Sequence, residues 1–252
     1  MSHFSVAVFT KPNGKTLREL LAPYSEELEV EPYMAMTKEE ALKRISEYED
    51  KYPEYKTMTI KEKIKDWYGY RLFDENGNPM TTYNPNSKWD WYSIGGRFPG
   101  KLKAKNGNHG EGSAFRSNPR IDGEFDSARV GDIDFSMDMD EYNKAIRYWE
   151  VVVEKQPLKD GENKDDFFNF YRDGYYEEYY RDKETYAKIC ASYGTYAVVT
   201  PDGEWHQKGE MYYFGMSSET GDESLDWDLH YKERFIDTAD PDWTLTIVDC
   251  HI

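Results

Sequence analysis

Both ends of the 252-residue chain have the pattern of buried β-strands, which leaves few arrangements open to the sheet. Residues 3–9 (HFSVAVF) are almost continuously apolar and are followed by the turn-forming residues 12–14 (PNG). Residues 243–252 (WTLTIVDCHI) are likewise rich in apolar and β-branched side chains. Short apolar runs bounded by turn residues are typical of strands that are buried on both faces. We therefore expect both terminal strands to lie in the interior of one sheet.

Two hairpins are predicted between these ends. The turn residues 201–203 (PDG) separate the strand-like residues 195–200 from residues 204–207. Pro presets the backbone at the start of such a turn, and Gly adopts the positive φ angle that closes it. A second hairpin is predicted from residues 70–73 and 80–83, around the polar sequence DENGN.

Five helical segments have start signals or apolar residues at helical spacing. Capping boxes open the first two at Thr37 and Thr59, and Asp138 and Asp140 are candidate caps for the third. The fourth is dense in Tyr and Phe and is interrupted or bent near Gly174. The predicted helices span residues 41–52, 59–68, 139–154, 165–180 and 225–236. Helices between two terminal strands predict an α+β fold, a mixed sheet that includes the N- and C-terminal strands and several packed helices.

The length and composition favour one folded domain over residues 1–252. Aromatic residues make up 16% of the chain, whereas disordered chains are poor in them. Residues 106–124 are rich in Gly and Asn and contain few apolar side chains, so we expect a mobile loop there.

Charge, hydropathy and cysteine content exclude several classes of function. The net charge of the chain is -17. It opposes direct binding to nucleic-acid phosphates, because like charges repel. No apolar run is long enough for a membrane span, and the start of the chain lacks the pattern of a signal peptide. The two cysteines are too few for a disulfide scaffold. We therefore expect a cytoplasmic protein without membrane partners, in the host cytoplasm if a phage encodes it.

One segment reverses the overall charge. Residues 88–131 contain eight basic and five acidic residues, so an anionic small molecule is expected to bind there rather than elsewhere. The alternative is that these bases simply pair with the acidic helices.

The sequence KWDWYSIGGR, residues 88–97, begins this basic segment. Its aromatic side chains offer faces on which a flat ring can stack. Its two glycines permit close approach of a ligand, and an arginine can hold a phosphate or carboxylate. Two further arginines in the loop could close over the ligand. The predicted ligand-binding residues are Trp89, Trp91, Tyr92, Gly95, Gly96, Arg97, Arg116 and Arg120. The alternative is a strand with one aromatic face in the core and a plain Gly-Gly turn.

Several motifs resemble a family of bacteriophage and bacterial proteins. They are the N-terminal SHF, the paired LAPY and VEPY, the central KWDWY-x-IGGR, the GDID at residues 131–134 and the C-terminal VDCHI. The resemblance covers both ends and the middle of the chain, and it implies homology over most of its length and a phage or prophage origin. It supplies no catalytic residues. Small acidic phage accessory proteins act against host defence by sequestering a nucleotide signal, by occupying a host protein or by mimicking DNA.

The terminal strands carry a second group of chemically active residues, which would lie close together if the strands pair. If these strands are neighbours, His3 lies near Asp249, Cys250 and His251. Cysteine with histidine can form a nucleophile and its base, and His, Asp and Cys are zinc ligands. Adjacent residues of a strand point to opposite faces, however, so one of Cys250 and His251 is expected to be buried. We therefore prefer a core cysteine and a hydrogen-bonded histidine.

Two more clusters are best explained without catalysis. Asp132, Asp134, Asp138 and Asp140 resemble a cation site but lack the glycine and closing glutamate of an EF-hand, so helix capping is preferred. The aromatic residues of 165–180 exceed what one buried stripe needs. Some of them are expected at the surface or in an interface, either with a second copy of the chain or with a host protein.

Three functional hypotheses follow. The leading one is a non-enzymatic phage accessory protein, with an anti-defence role, that binds an anionic, ring-containing small molecule such as a nucleotide signal, or a host protein. The second is an acidic DNA mimic that uses residues 160–184 and 222–242 to inhibit a host nucleic-acid-binding protein. The third is a hydrolase that uses His251, Cys250 or the pair Asp132 and Asp134. We assign no cofactor, no metal ion and no catalytic residue.

Overall fold

The computed structural model describes residues 2–47, 51–105 and 124–252. Seven α-helices and eleven β-strands lie within these ranges. The strands are β1 (His3–Thr10), β2 (Tyr33–Met34), β3 (Leu72–Phe73), β4 (Pro79–Thr81), β5 (Trp91–Ile94), β6 (Leu102–Lys103), β7 (Glu124–Phe125), β8 (Ser127–Arg129), β9 (Ala197–Val199), β10 (Trp205–Gln207) and β11 (Thr244–His251). The helices are α1 (Leu17–Leu21), α2 (Lys38–Ser46), α3 (Ile60–Tyr68), α4 (Met139–Val152), α5 (Tyr175–Tyr180), α6 (Lys183–Cys190) and α7 (Gly221–Tyr231).

A six-stranded mixed sheet has the two terminal strands at its centre. Its order is β10-β9-β1-β11-β5, and β8 also pairs with β11. β1 runs antiparallel to β11 over eight residue pairs, from His3 opposite His251 to Thr10 opposite Thr244. β1 runs parallel to β9. The predicted α+β class, with a mixed sheet that contains both terminal strands, is confirmed.

The chain divides into two compact units, one made of residues up to Ala22 together with Lys88–Ile252, the other of Pro23–Ser87. The first unit has a core in which the sheet packs against α7, and Phe9, Ile247 and Trp227 lie in it. The second has a core formed by side chains of α2, α3 and the turn between them, namely Ala41, Ile45, Tyr55 and Ile64. The prediction of one domain over residues 1–252 stays a prediction.

Local signals located several element starts correctly. Thr37 and Thr59 form capping boxes at the starts of α2 and α3. The turn around Gly203 joins β9 to β10, and β3 pairs with β4 in the second predicted hairpin. Asp138 caps α4, accepting hydrogen bonds from the N–H groups of residues 140 and 141. No helix in the described part of the chain is sufficiently long and apolar to cross a membrane.

The predicted helical segment 165–180 is interrupted at Gly174, as expected, but the prediction of α-helix before Gly174 was wrong. Residues 164–167 form a short 3₁₀ turn, and only Tyr175–Tyr180 are α-helical. Gly174 has a φ of 81°, a left-handed conformation that turns the chain immediately before α5. The last helix also differs from the prediction, because Thr220 caps it and α7 therefore starts at Gly221. It continues as a π-helical turn over Lys232–Ile236. Most of the predicted loop, residues 106–123, lies outside the described residues.

Candidate functional site

Three strands bring two histidines and a tryptophan together at one end of the main sheet. His3 of β1 lies opposite His251 of β11, which in turn lies opposite Trp91 of β5. The two imidazole rings meet edge to face with their centroids 4.9 Å apart. Trp91 stacks on His251 at 4.9 Å with an interplanar angle of 17°. The register of the central strands therefore assembles residues that are far apart in sequence.

Each histidine is held by its own carboxylate. The Nδ1 atom of His3 is 2.9 Å from Oδ1 of Asp249, and the Nδ1 atom of His251 is 2.7 Å from Oδ1 of Asp90. An ionised carboxylate only accepts hydrogen bonds, so the Nδ1 atoms carry the protons. Within residues 2–47, 51–105 and 124–252, neither histidine's Nε2 atom has a hydrogen-bond partner. A histidine ring that is protonated on Nδ1 alone keeps a lone pair on Nε2. We call His3, Asp90, Trp91, Asp249 and His251 the terminal-strand site.

The two carboxylates occupy different environments. The Asp249 side chain is only 2% exposed, and its second oxygen accepts the backbone N–H of Arg97 at 2.9 Å. The Asp90 carboxylate is half-buried and accepts the backbone N–H of Trp91 at 2.7 Å in addition to the histidine. Buried carboxylates are costly unless hydrogen-bonded, and these bonds offset that cost.

The glycines of the KWDWYSIGGR segment serve the protein's own carboxylates. Gly95 and Gly96 have φ angles of 71° and 48°. A Cβ atom on Gly96 would overlap the Asp249 side chain, and one on Gly95 would lie 2.7 Å from the Asp126 carboxyl carbon. The N–H of Gly95 donates to the carbonyl of Ile247, and that of Gly96 donates to a carbonyl within the same turn. These two amides are engaged inside the protein, so the turn closes over buried carboxylates rather than offering its amides to a ligand.

The three aromatic residues of this segment have different surroundings. Trp89 is buried and donates its Nε1–H to the carbonyl of Leu21 at 3.2 Å. Trp91 is 45% exposed. Tyr92 is half-buried and meets the Trp89 ring edge to face, and burial raises the pKa of its hydroxyl. Only Trp91 therefore offers a broad surface to a ligand.

Of the three arginines predicted to bind a ligand, one lies in the described part of the chain. The Arg97 side chain is exposed, and no hydrogen bond or ion pair of its guanidinium is found in the described part of the chain. Arg116 and Arg120 lie outside the described residues. Other bases of residues 88–131 pair with acids, as the alternative interpretation expected: Lys88 with Glu210, Lys103 with Asp138, and Arg129 with Asp132 and Asp242.

Cys250 lies on the opposite face of β11 from the histidines. It is fully buried beside the core, and burial raises the pKa of its thiol well above the ordinary value. A neutral, inaccessible thiol is a poor nucleophile. The strand alternation that separates Cys250 from His251 was predicted, and it leaves the histidine without a nearby thiolate.

The acidic cluster after β8 has structural contacts. Asp138 caps α4 and pairs with Lys103, and Asp134 accepts the N–H of Ser136, which lowers the pKa of Asp134. Among residues 2–47, 51–105 and 124–252, no three His, Cys, Asp or Glu side chains come close enough together to hold a metal ion.

The acidic helices carry many local ion pairs. Arg181 bonds Asp222, Arg234 bonds Asp226, and Lys232 bonds Asp237. Charges that are paired within one molecule contribute less to the field that a distant partner senses. Much of the charge in residues 222–242 is therefore compensated locally.

A second aromatic group lies between α4, α5 and α6. Its rings contact one another at centroid distances of 4.0 to 6.2 Å. We call it the tyrosine cluster, and it comprises Tyr148, Trp149, Tyr171, Tyr175, Tyr176, Tyr180 and Tyr186. Beside it, Phe168 and Phe170 are exposed, Phe170 by 86%. Some aromatics of residues 165–180 thus lie at the surface.

Sequence reasoning anticipated only part of the terminal-strand site. It placed His3 near Asp249 and His251 but did not identify Asp90 as the carboxylate partner of His251. The available signal was the Asp between the two tryptophans of KWDWY, at a strand start where its side chain can reach the neighbouring strand. Comparison of the chain with protein-family models, curated proteins and solved structures found no match.

Proposed function

We propose that this protein binds a small, anionic, ring-containing molecule of the nucleotide class at the terminal-strand site. The observation that carries the proposal is the pair of Nε2 atoms that have no partner among the described residues, beside the exposed ring of Trp91. A protonated imidazole donates a charge-assisted hydrogen bond to phosphate from Nε2. An exposed indole stacks with a nucleobase. The exposed guanidinium of Arg97 follows the same strand and supplies a further positive charge.

A small ligand fits the electrostatics better than a long nucleic acid. The net charge of -17 repels a polyphosphate backbone over most of the surface. A ligand with one or a few phosphates is repelled less than a long strand. At the site, the guanidinium of Arg97 and the imidazoles, when they are protonated, offset the carboxylates of Asp90 and Asp249. In a phage accessory protein of the kind that the sequence motifs imply, such binding would sequester a nucleotide signal of the host.

The first experiment is to identify what the protein carries. Purified protein is analysed before and after denaturation by mass spectrometry and nucleotide-resolving chromatography. Ribonucleotides are then titrated calorimetrically into the native protein and into two variants, Trp91→Leu and the control Phe170→Leu. Loss of one stacking partner costs roughly 1–3 kcal/mol, so Trp91→Leu should weaken binding by about 5- to 100-fold while Phe170→Leu should not.

Equal affinity of both variants for the nucleotide would place the ligand elsewhere and refute the proposed site. A protein that neither carries nor binds any nucleotide would refute the function itself. The search would then move to protein partners, beginning with the surface around Phe168 and Phe170.

A further inference from the structure

The two histidines of the terminal-strand site have the same hydrogen-bonding arrangement. Each has a carboxylate on Nδ1 and no partner for Nε2 in the described part of the chain, and their rings are in contact. Both side chains are almost buried, with 10% of His3 and 6% of His251 exposed. The ring centroids are 4.9 Å apart, so one phosphate could contact both Nε2 atoms where the two atoms face the same side.

We propose that His3 and His251 form a general acid–base pair that cleaves a short ribonucleotide at a 3′,5′-phosphodiester with a free neighbouring 2′-hydroxyl. This inference rests on the proposed function, because the substrate has to be held at the terminal-strand site. Histidine exchanges protons near neutral pH, and a carboxylate on Nδ1 orients the ring and stabilises the imidazolium. Two such rings facing one phosphate supply both of the proton transfers that the reaction needs.

The step balances without a co-reactant. The Nε2 atom of the neutral histidine takes the proton from the 2′-hydroxyl, and the freed electron pair of that oxygen forms a bond to phosphorus. The bond from phosphorus to the 5′-oxygen breaks, and its electron pair stays on the leaving oxygen. That oxygen takes the Nε2 proton of the imidazolium. The products are a 2′,3′-cyclic phosphate and a 5′-hydroxyl, and proton exchange with water restores the two histidines.

The site favours a short substrate. Trp91 stacks on His251 and is 45% exposed, so one base can stack on its exposed surface next to the phosphate that the histidines contact. The strongly acidic surface disfavours a long strand. The substrate class is thus a linear or cyclic ribonucleotide of a few residues.

Asparagine variants separate catalysis from folding. The amide nitrogen of Asn lies near the position of Nδ1, so His3→Asn and His251→Asn keep a donor for Asp249 and Asp90 but remove Nε2. His206→Asn is the matched control, because His206 lies on β10 and pairs with Glu204 outside the site. The probes are uridylyl-3′,5′-adenosine and its analogue without 2′-hydroxyls, with products separated by chromatography.

We expect the native protein and His206→Asn to convert the ribose probe into a 2′,3′-cyclic phosphate and to leave the deoxy probe intact. Each of His3→Asn and His251→Asn should lose about 10²- to 10⁴-fold in rate. Each variant loses one Nε2 contact to the phosphate, so it should bind the deoxy probe more weakly than the native protein, but by far less than it loses in rate, because stacking on Trp91 remains.

A substrate with a good leaving group distinguishes the two roles. Uridine 3′-(4-nitrophenyl phosphate) needs no proton on its leaving oxygen, so the variant that lacks the acid should recover most of its rate. The variant that lacks the base should not recover. Recovery of both variants or of neither would overturn the division of roles.

Four other outcomes would also test the inference and the proposed function. Cleavage of the deoxy probe would overturn attack by the 2′-hydroxyl, and cleavage that survives both Asn substitutions would exclude the histidines. Binding of the probes without any cleavage would overturn the inference and leave the proposed function standing. If the protein does not bind the probes, both the inference and the proposed function are refuted.

Discussion

The terminal-strand site and the tyrosine cluster, two parts of the same compact unit, are stabilised by different kinds of contact. In the terminal-strand site, His3 and Asp249 are 246 positions apart in sequence, and His251 and Asp90 are 161 apart. In the tyrosine cluster, Tyr171 stacks on Tyr175 four residues away, with ring centroids 4.0 Å apart. The first region depends on a few directional hydrogen bonds, whereas the second depends on many ring contacts that can adjust. A single change should therefore disrupt the first far more than the second.

Gly96→Ala should have the largest effect on stability. The backbone strain at a φ of 48° costs about 1–3 kcal/mol and the overlap with Asp249 costs about as much again, so we expect a loss of about 4 kcal/mol in the free energy of unfolding. Gly174, at the tyrosine cluster, has a φ of 81°, and a Cβ atom there would meet only a guanidinium nitrogen of Arg172 at 4.0 Å, an ordinary contact. Gly174→Ala should therefore cost about 1 kcal/mol. Urea denaturation followed by tryptophan fluorescence measures both. If both variants lost the same free energy of unfolding, the two regions would not differ in their sensitivity to substitution.

Asp249→Ala should follow. It leaves the Nδ1–H of His3 and the N–H of Arg97 without their acceptor in a buried site, and it should cost about 3 kcal/mol. Asp249→Asn keeps one acceptor and should cost less. A loss below 1 kcal/mol for the alanine variant, measured by the same denaturation, would show that the carboxylate contributes little to the fold.

Tyr176→Phe tests the other region. The Tyr176 hydroxyl shares a 3.0 Å hydrogen bond with that of Tyr148, while its ring contacts remain after the substitution. The expected loss is about 1 kcal/mol, and the near-ultraviolet circular dichroism should keep its native shape. A loss as large as that of Asp249→Ala would contradict the adaptable packing that we attribute to the cluster.

Alkylation of the two cysteines compares the two regions without any substitution. Cys190 is exposed beside the tyrosine cluster, whereas Cys250 is buried in the central strand. Iodoacetamide at pH 8 should modify one thiol per native chain, that of Cys190. The reaction should be slow, because loss of hydration around this thiol raises its pKa and leaves little thiolate. Cys250 should react only when the chain unfolds. Mass spectrometry of digested protein locates the label, and early modification of Cys250 would show that the end of the sheet opens locally.

The sequence predicted most local features and fewer of the long-range ones. The capping boxes at Thr37 and Thr59 and the turn at Gly203 depend on neighbours a few residues away, so their patterns were sufficient. The interruption at Gly174 was predicted, because glycine readily adopts a left-handed conformation. The helix predicted before it was wrong, because aromatic composition alone does not distinguish a helix from the 3₁₀ turn over residues 164–167 and the extended chain that follows.

The site was harder to predict than the fold, because it depends on strand register. Placing β1 beside β11 was enough to bring His3 near Asp249. The pairing of His251 with Asp90 needs β5 on the other edge of β11, which no local pattern indicates. The roles of Gly95 and Gly96 were also obscure, because a glycine pair that admits a ligand and one that covers a buried carboxylate have the same sequence.

The pairing of β1 with β11 has a consequence for synthesis in the cell. The ribosome adds roughly 5–20 residues per second, so on the order of ten to fifty seconds separate the emergence of His3–Thr10 from that of Thr244–His251. During that time an apolar strand waits without its antiparallel neighbour, exposed to misfolding and to capture by chaperones. The two histidines meet only when the last strand inserts, so any activity of the terminal-strand site begins after translation has reached the end of that strand.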